Sequence, residues 1–186
     1  MPKLNLPLLD SKTAPSSVSA TLANVEKKYG LVPNLYRIFA NAPIALDAYL
    51  AISDAFQRGT LSATERNIVL LAASRENGCG YCVAAHSAVA DMQKDPPHYT
   101  EAIRNGVPLD DRKLEALRQL TQAVVRGRGR PEASIVQAFI DAGYQPHHVL
   151  EVLVGVTMKT LSNYTNHLAK TPLDSAFAGR EWQPEA

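Results

Sequence analysis

The sequence predicts an all-α protein. Apolar residues recur at i, i+3, i+4 and i+7 along most of the chain, and prolines and glycines sit where helices start and stop. Alternating β-branched runs bounded by turns, which would signal strands, are scarce. The length of 186 residues fits one domain. Residues 1–17, rich in Pro and Ser, are expected to form an extended arm, and 18–186 a single helical domain.

The elements follow in order. Val18, Leu22, Val25 and Tyr29 share one helical face, and Gly30 stops it. Pro33 opens a short helix carrying Leu35, Ile38 and Phe39. Pro43 opens the next, with Leu46, Tyr49, Leu50, Ser53 and Phe56 on one side and Gly59 as its stop. Proline suits these starts because the first turn has no intrahelical acceptor for its missing N–H. Ser62-Ala-Thr-Glu65 reads as a capping box for a helix reaching about Asn77, stopped by Gly78. A helix from about Cys79 or Tyr81 to Met92 follows, ended by Asp95-Pro96-Pro97, and a weaker one spans about 98–105. Asp110 or Asp111 caps a helix to Val125. Arg126-Gly-Arg-Gly-Arg130 is a loop, open to an anionic partner but more simply solvated. Pro131 starts a helix to Ala142, and Pro146 the longest one, to about Lys170. A capped run ending in Tyr81…His86 and another ending in Tyr164…His167 hint at an internal helical pseudo-repeat.

Composition narrows the function. Apolar residues make up 46%, within the globular range. Nineteen basic residues against eighteen acidic leave +1, without the basic excess that phosphate neutralisation calls for, so nucleic-acid binding is disfavoured. No stretch of 18 apolar residues suggests a membrane span. The N-terminal segment lacks the apolar core of a secretory signal, so the expected compartment is the cytoplasm. The only two cysteines, Cys79 and Cys82, lie three apart. In a reducing compartment that pattern points to redox or metal chemistry rather than to a structural staple.

The informative segment is Asn77-Gly-Cys-Gly-Tyr-Cys-Val-Ala-Ala-His86. A C-x-x-C at a helix start sets two sulfurs one turn apart, where the free N–H groups and the helix dipole favour a thiolate. An unperturbed thiol has a pKa of about 8.5, so it needs assistance at neutral pH. His86 lies four residues after Cys82, on the same face, where an imidazole can take a proton or stand beside the thiolate. The dipole by itself favours Cys79 as the low-pKa thiol; the histidine spacing favours Cys82. Cys79, Cys82 and His86 also supply three zinc ligands, but no second C-x-x-C or H-x-x-x-H completes a site, so no metal is expected. Asn163 and His167, four apart, could line a pocket but are read first as a helix–helix contact, and His147-His148 as surface.

The run from Leu61-Ser-Ala-Thr-Glu-Arg-Asn67 through Cys79-Gly-Tyr-Cys82 to His86 resembles the core of the carboxymuconolactone decarboxylase and alkyl hydroperoxidase D superfamily, and more closely its peroxidase-related branch. The segment Asn163–Asp174, followed by Phe177, resembles the same branch. The resemblance implies an all-helical fold assembling into trimers or hexamers. It implies that Cys82 attacks a peroxide, Cys79 resolves the resulting sulfenic acid, and His86 is the family histidine. The chemistry then runs from thiolate to sulfenic acid to disulfide. No bound cofactor is implied. The reductant is an external dithiol, either a protein or a lipoyl-type thiol, because the chain has no third cysteine and no nucleotide-binding glycine motif. Two positions depart from the pattern. The family's relay glutamate is Asn67 here, which cannot carry a proton at neutral pH. Tyr81 stands where the hydroperoxidase carries a histidine before its second cysteine. Glu65 and Glu76 are nearby acids that could substitute for the relay.

The function expected is thus a C-x-x-C-dependent peroxidase acting in antioxidant defence. The alternatives are a redox-responsive or metal-binding helical oligomer without efficient turnover, and a carboxymuconolactone decarboxylase-like enzyme. The last does not depend on a cysteine pair.

Overall fold

In a computed structural model, which describes residues 4–184, the helices fall where the punctuation puts them. They are α1 (Ser16–Tyr29), α2 (Asn34–Phe39), α3 (Pro43–Gln57), α4 (Ala63–Glu76), α5 (Gly80–Gln93), α6 (Pro97–Asn105), α7 (Arg112–Arg126), α8 (Ala133–Asp141) and α9 (Pro146–Ala169). A 3-10 helix over Ser175–Arg180 follows, and no strand occurs among the described residues. The fold is all-α. The capping box is formed: Ser62 Oγ accepts from the Glu65 N–H, and Glu65 Oε2 accepts from the Ser62 N–H at 2.8 Å. Asp111 rather than Asp110 caps α7, accepting from the Leu114 N–H at 2.9 Å. The 3-10 helix was not anticipated, and α8 begins at Ala133, two residues past Pro131.

α4 is the central element. It packs against α3, α5, α6, α7 and α9, which explains why its buried residues run around the whole helix rather than along one stripe. Two apolar cores flank it. One gathers Ile68, Leu71, Leu117, Leu120, Phe139 and Val152 between α4, α7, α8 and α9. The other gathers Val18, Leu22, Phe39, Leu46 and Tyr49 between α1, α2 and α3, with Met158 of α9. α9 borders both. Gly155 permits its close approach, since a Cβ there would lie 2.7 Å from Val69 Cγ1 and 2.9 Å from the Phe56 ring.

The N-terminal segment does not hang free. The Leu4 N–H donates to the Leu168 carbonyl, and Arg37 donates to the carbonyls of Leu8 and Leu9. The two stretches that hinted at a repeat differ in build. The first crosses the break between α4 and α5 before Tyr81, whereas Tyr164 and His167 lie inside the unbroken α9. Among the described residues no helix is long and apolar enough to cross a membrane.

Candidate active site

Cys79 is the residue that caps α5, and Cys82 completes its first turn. Both are free thiols and nearly inaccessible, 1% and 2% exposed. The intervening Gly80 serves a packing need. The C-terminal segment crosses directly over it, so a Cβ would sit 2.6 Å from the Trp182 carbonyl oxygen.

The sulfurs face α9. Asn166 Nδ2 donates to Cys82 Sγ at 3.2 Å and lies 3.8 Å from Cys79 Sγ. Asn163 is anchored through its Oδ1 by Asn77 Nδ2 at 2.9 Å. Lys159 of α9 is 1% exposed, and its Nζ is 2.8 Å from His86 Nε2. A lysine ammonium has no acceptor, so in this contact Nε2 accepts and the imidazole proton resides on Nδ1. That Nδ1 is buried without a partner among the described residues.

These surroundings separate the two thiols. Burial pushes Cys82 up, but hydrogen bonding from the Cys79 thiol, the positive charge of Lys159 and the amides of Asn163 and Asn166 outweigh it, holding its pKa at about 5. Cys79 moves the other way. The hydrogen bond it gives to Cys82 keeps its proton in place, and burial adds to this. Burial first, then the Lys159 charge, hold His86 well below the usual histidine range, so it is neutral. The positive charge near the thiolate is therefore that of Lys159 and not of an imidazolium.

Cys82, His86 and Lys159 line one side of a cavity of about 940 Å³. Its walls come from α1, α2, α3, α4, α5, α9 and the 3-10 helix. Leu35, Tyr36, Tyr49, Phe56, Met158 and Phe177 make much of the lining apolar and aromatic. Volumes of roughly 300–1,000 Å³ are typical for organic ligands.

The other residues singled out in the sequence divide. Asn67 and Tyr81 reach this cavity. Asn67 donates from Nδ2 to Asp95 Oδ2 at 3.3 Å, and its Oδ1 is buried without a partner among the described residues. The Tyr81 hydroxyl donates to Asp174 Oδ2 at 2.6 Å and accepts from the Leu35 N–H at 3.2 Å. Burial, then its bond to Asp174, raise that phenol, so it stays neutral. Glu65 is elsewhere: beyond its capping role it accepts from the Tyr144 hydroxyl at 2.9 Å and meets Lys113 at 3.3 Å. Glu76 is paired with Arg126 at 2.6 Å, which also accounts for one arginine of the basic loop. Neither acid lines the cavity. Asn163 is indeed a helix–helix contact, while His167 is exposed. Among the described residues no group of three or more His, Cys, Asp or Glu side chains is arranged to hold a metal ion.

Three residues at the site were missed: Lys159, Asn166 and Asp174. One signal pointed to the first. Positions 152, 155, 159, 162, 166 and 169 trace the buried stripe of α9, and a lysine on such a stripe is anomalous.

Residues 42–98 match the carboxymuconolactone decarboxylase family. The fold is similar to that of a solved structure described as an alkylhydroperoxidase AhpD core, an uncharacterized peroxidase-related protein from Ralstonia eutropha JMP134. The TM-score is 0.83 at 22% identity, over 98% of this chain and 100% of that one. A peroxidase-related protein from Silicibacter sp. TM1040 gives a TM-score of 0.77 at 20% identity, over 95% and 94% of the two chains. The debrominase Bmp8, bound to 2,3,4-tribromopyrrole, gives 0.81 at 15% identity, over 97% and 96%. No curated protein matches the sequence significantly. The match to the carboxymuconolactone decarboxylase family thus covers the segment that holds Cys79, Cys82 and His86, and the chain as a whole has the fold of these peroxidase-related structures.

Proposed function

We propose that the protein is a thiol-dependent peroxidase that cycles Cys79 and Cys82 between dithiol and disulfide. One observation carries this reading. Cys82 is held as a thiolate on the wall of a cavity able to take an organic substrate, with a protonated second thiol beside it. Cys82 attacks the peroxide and becomes sulfenic acid. Cys79 then displaces water from that sulfur, closing the disulfide. An external dithiol, a protein or a lipoyl-type thiol, returns the pair to the reduced state. No resident cofactor takes part.

A second reading has its own support. The cavity is far larger than hydrogen peroxide needs, and a fold neighbour is a debrominase crystallised with a tribrominated pyrrole. The same dithiol could reduce a halogenated aromatic, releasing halide.

Titration of the reduced protein with cumene hydroperoxide, followed by mass spectrometry, separates these readings. The peroxidase loses two hydrogens within the single peptide that holds Cys79 and Cys82. Its Cys79→Ser variant accumulates a dimedone-trappable sulfenic acid on Cys82. Thiols that stay alkylatable while a control dithiol protein is oxidised would remove the peroxidase reading. Bromide release from a bromopyrrole under the same conditions would replace it with the second.

A further inference from the structure

Lys159 stands without a counter-ion of the ordinary kind. It is buried, and among the described residues it forms no ion pair with a carboxylate. Its hydrogen-bond partner, His86 Nε2, is a neutral acceptor and supplies no charge. Uncompensated burial of an ammonium is costly, and a buried charge is retained where something opposite faces it. The other charged groups around the cavity do not meet that need. Lys28 and Arg66 are cations, with Arg66 donating to the Leu61 carbonyl. Asp91 is held by Arg180 of the 3-10 helix, which also binds Glu101. The phenols of Tyr36, Tyr49 and Tyr81 are kept neutral, foremost by burial. What remains is Cys82, on the same cavity wall.

We propose that Lys159 is the counter-ion of the Cys82 thiolate and the acid that protonates the oxygen leaving when Cys82 attacks. This rests on the peroxidase reading for its second half only. In the step, the Cys82 sulfur forms a bond to the terminal oxygen of R–O–O–H and the O–O bond breaks. The sulfur is oxidised to the sulfenic acid, S–O–H, and the peroxide is reduced. The departing alkoxide takes a proton from the Lys159 ammonium and leaves as R–O–H, and the lysine is left neutral. When Cys79 closes the disulfide, its thiol proton departs with the sulfenic hydroxyl as water. Reduction of the disulfide by an external dithiol brings two protons, one returning to Cys79 and one to Lys159, which restores the ion pair. His86 is in this scheme a positioning residue: it accepts from Nζ and holds the cation on the cavity wall. The arrangement also explains how the chain works with Asn67 in place of the relay acid.

The test uses the full reduced chain, its Lys159→Met variant, which keeps length without charge, and Lys159→Arg. Thiolate formation at Cys82 is followed by ultraviolet absorbance against pH. Reaction rates are measured with cumene hydroperoxide, whose alkoxide needs a proton to leave, and with a peroxycarboxylic acid, whose carboxylate does not. In Lys159→Met the thiolate midpoint should rise by about one pH unit or more. Its rate with the hydroperoxide, divided by the thiolate fraction, should fall by about 10²–10⁴-fold. With the peroxycarboxylic acid the divided rate should stay within a few-fold. Lys159→Arg keeps the charge but cannot give up a proton, so it should keep the low midpoint and still lose the hydroperoxide reaction. An unmoved midpoint in a folded Lys159→Met protein, or equal losses with both oxidants, overturns the proposal. If the parent consumes neither oxidant, the peroxidase reading and the acid role fall together. The midpoint then still decides whether Lys159 is the counter-ion.

Discussion

Cys82 and His86, one helical turn apart on α5, tie the stability of the reduced protein to pH. Cys82 is held at about 5, whereas a thiol in the unfolded chain titrates near 8.5. Between those values the unfolded state carries a proton that the folded state lacks, so stability rises with pH there and is lost as pH falls toward 5. His86 is kept neutral by burial and by Lys159, while an unfolded histidine protonates below about 6.5, so it acts in the same direction at lower pH. Cys79 has the opposite sign. It keeps its proton above the pH at which the unfolded thiol loses one, so it lowers stability only in more alkaline solution. The unfolding temperature of the reduced protein should therefore climb from pH 5 to pH 8, by an amount on the order of a few kcal/mol in stability. Cys82→Ser should flatten the part above pH 6.5. Calorimetry in a thiol reductant checks this, and a parent profile flat across that range would contradict a Cys82 thiolate in the folded protein.

At the scale of elements, the junction of α4 and α5 is locked by a segment distant in sequence. Asp174 accepts from the Asn34 N–H at the start of α2 and from the Tyr81 hydroxyl, and Arg180 binds Asp91 and Glu101. Trp182 donates from its indole to the Arg104 carbonyl at 3.1 Å, and its own carbonyl lies over Gly80. Gly80→Ala forces backbone against backbone. We expect it to cost about 1–3 kcal/mol, the usual price of overpacking, and to displace the terminal segment. Trp182 is the only tryptophan, so its emission reports the displacement directly while urea unfolding reports the cost. Unchanged emission together with an unchanged midpoint would show that the segment yields freely. The same contacts explain why the 3-10 helix was not read from sequence. It lacks helical periodicity of its own and is held by partners up to 140 residues away. The helices were legible because their stops and caps are local: Gly30, Pro43, the Ser62–Glu65 box and Pro146 act within a turn of where they stand.

For the whole molecule, α9 presents a second face. Leu150, Leu153, Tyr164 and Leu168 are 37–64% exposed along it, spaced three to eleven residues apart on one side of the helix. Leu4, 48% exposed, belongs to the segment bonded to Leu168. Apolar side chains exposed along one helix face suit an association surface. We expect the protein to be a homo-oligomer, trimer or hexamer. Sedimentation at low micromolar concentration should show species well above the 20.2 kDa chain mass, and Leu153→Glu should shift them downward. A parent sedimenting as a 20 kDa species would contradict this.

The all-α class, the helix order and the placement of Cys79, Cys82 and His86 along the start of one helix were determined by the sequence alone, because each depends on spacings within one or two helical turns. Which cysteine ionises was not so determined. The dipole and the histidine spacing gave opposite answers, and what lowers Cys82 is instead the hydrogen bond from Cys79 together with Lys159, Asn163 and Asn166, the last three some eighty residues further along the chain. Lys159 betrayed itself as a lysine on a buried stripe, yet its partner was unreadable until α9 packed against α4 and α5. The cavity is likewise a product of packing, since its walls come from seven elements. Helical periodicity is a local property of the chain. The field at a buried sulfur is a sum over neighbours that only the tertiary structure brings together.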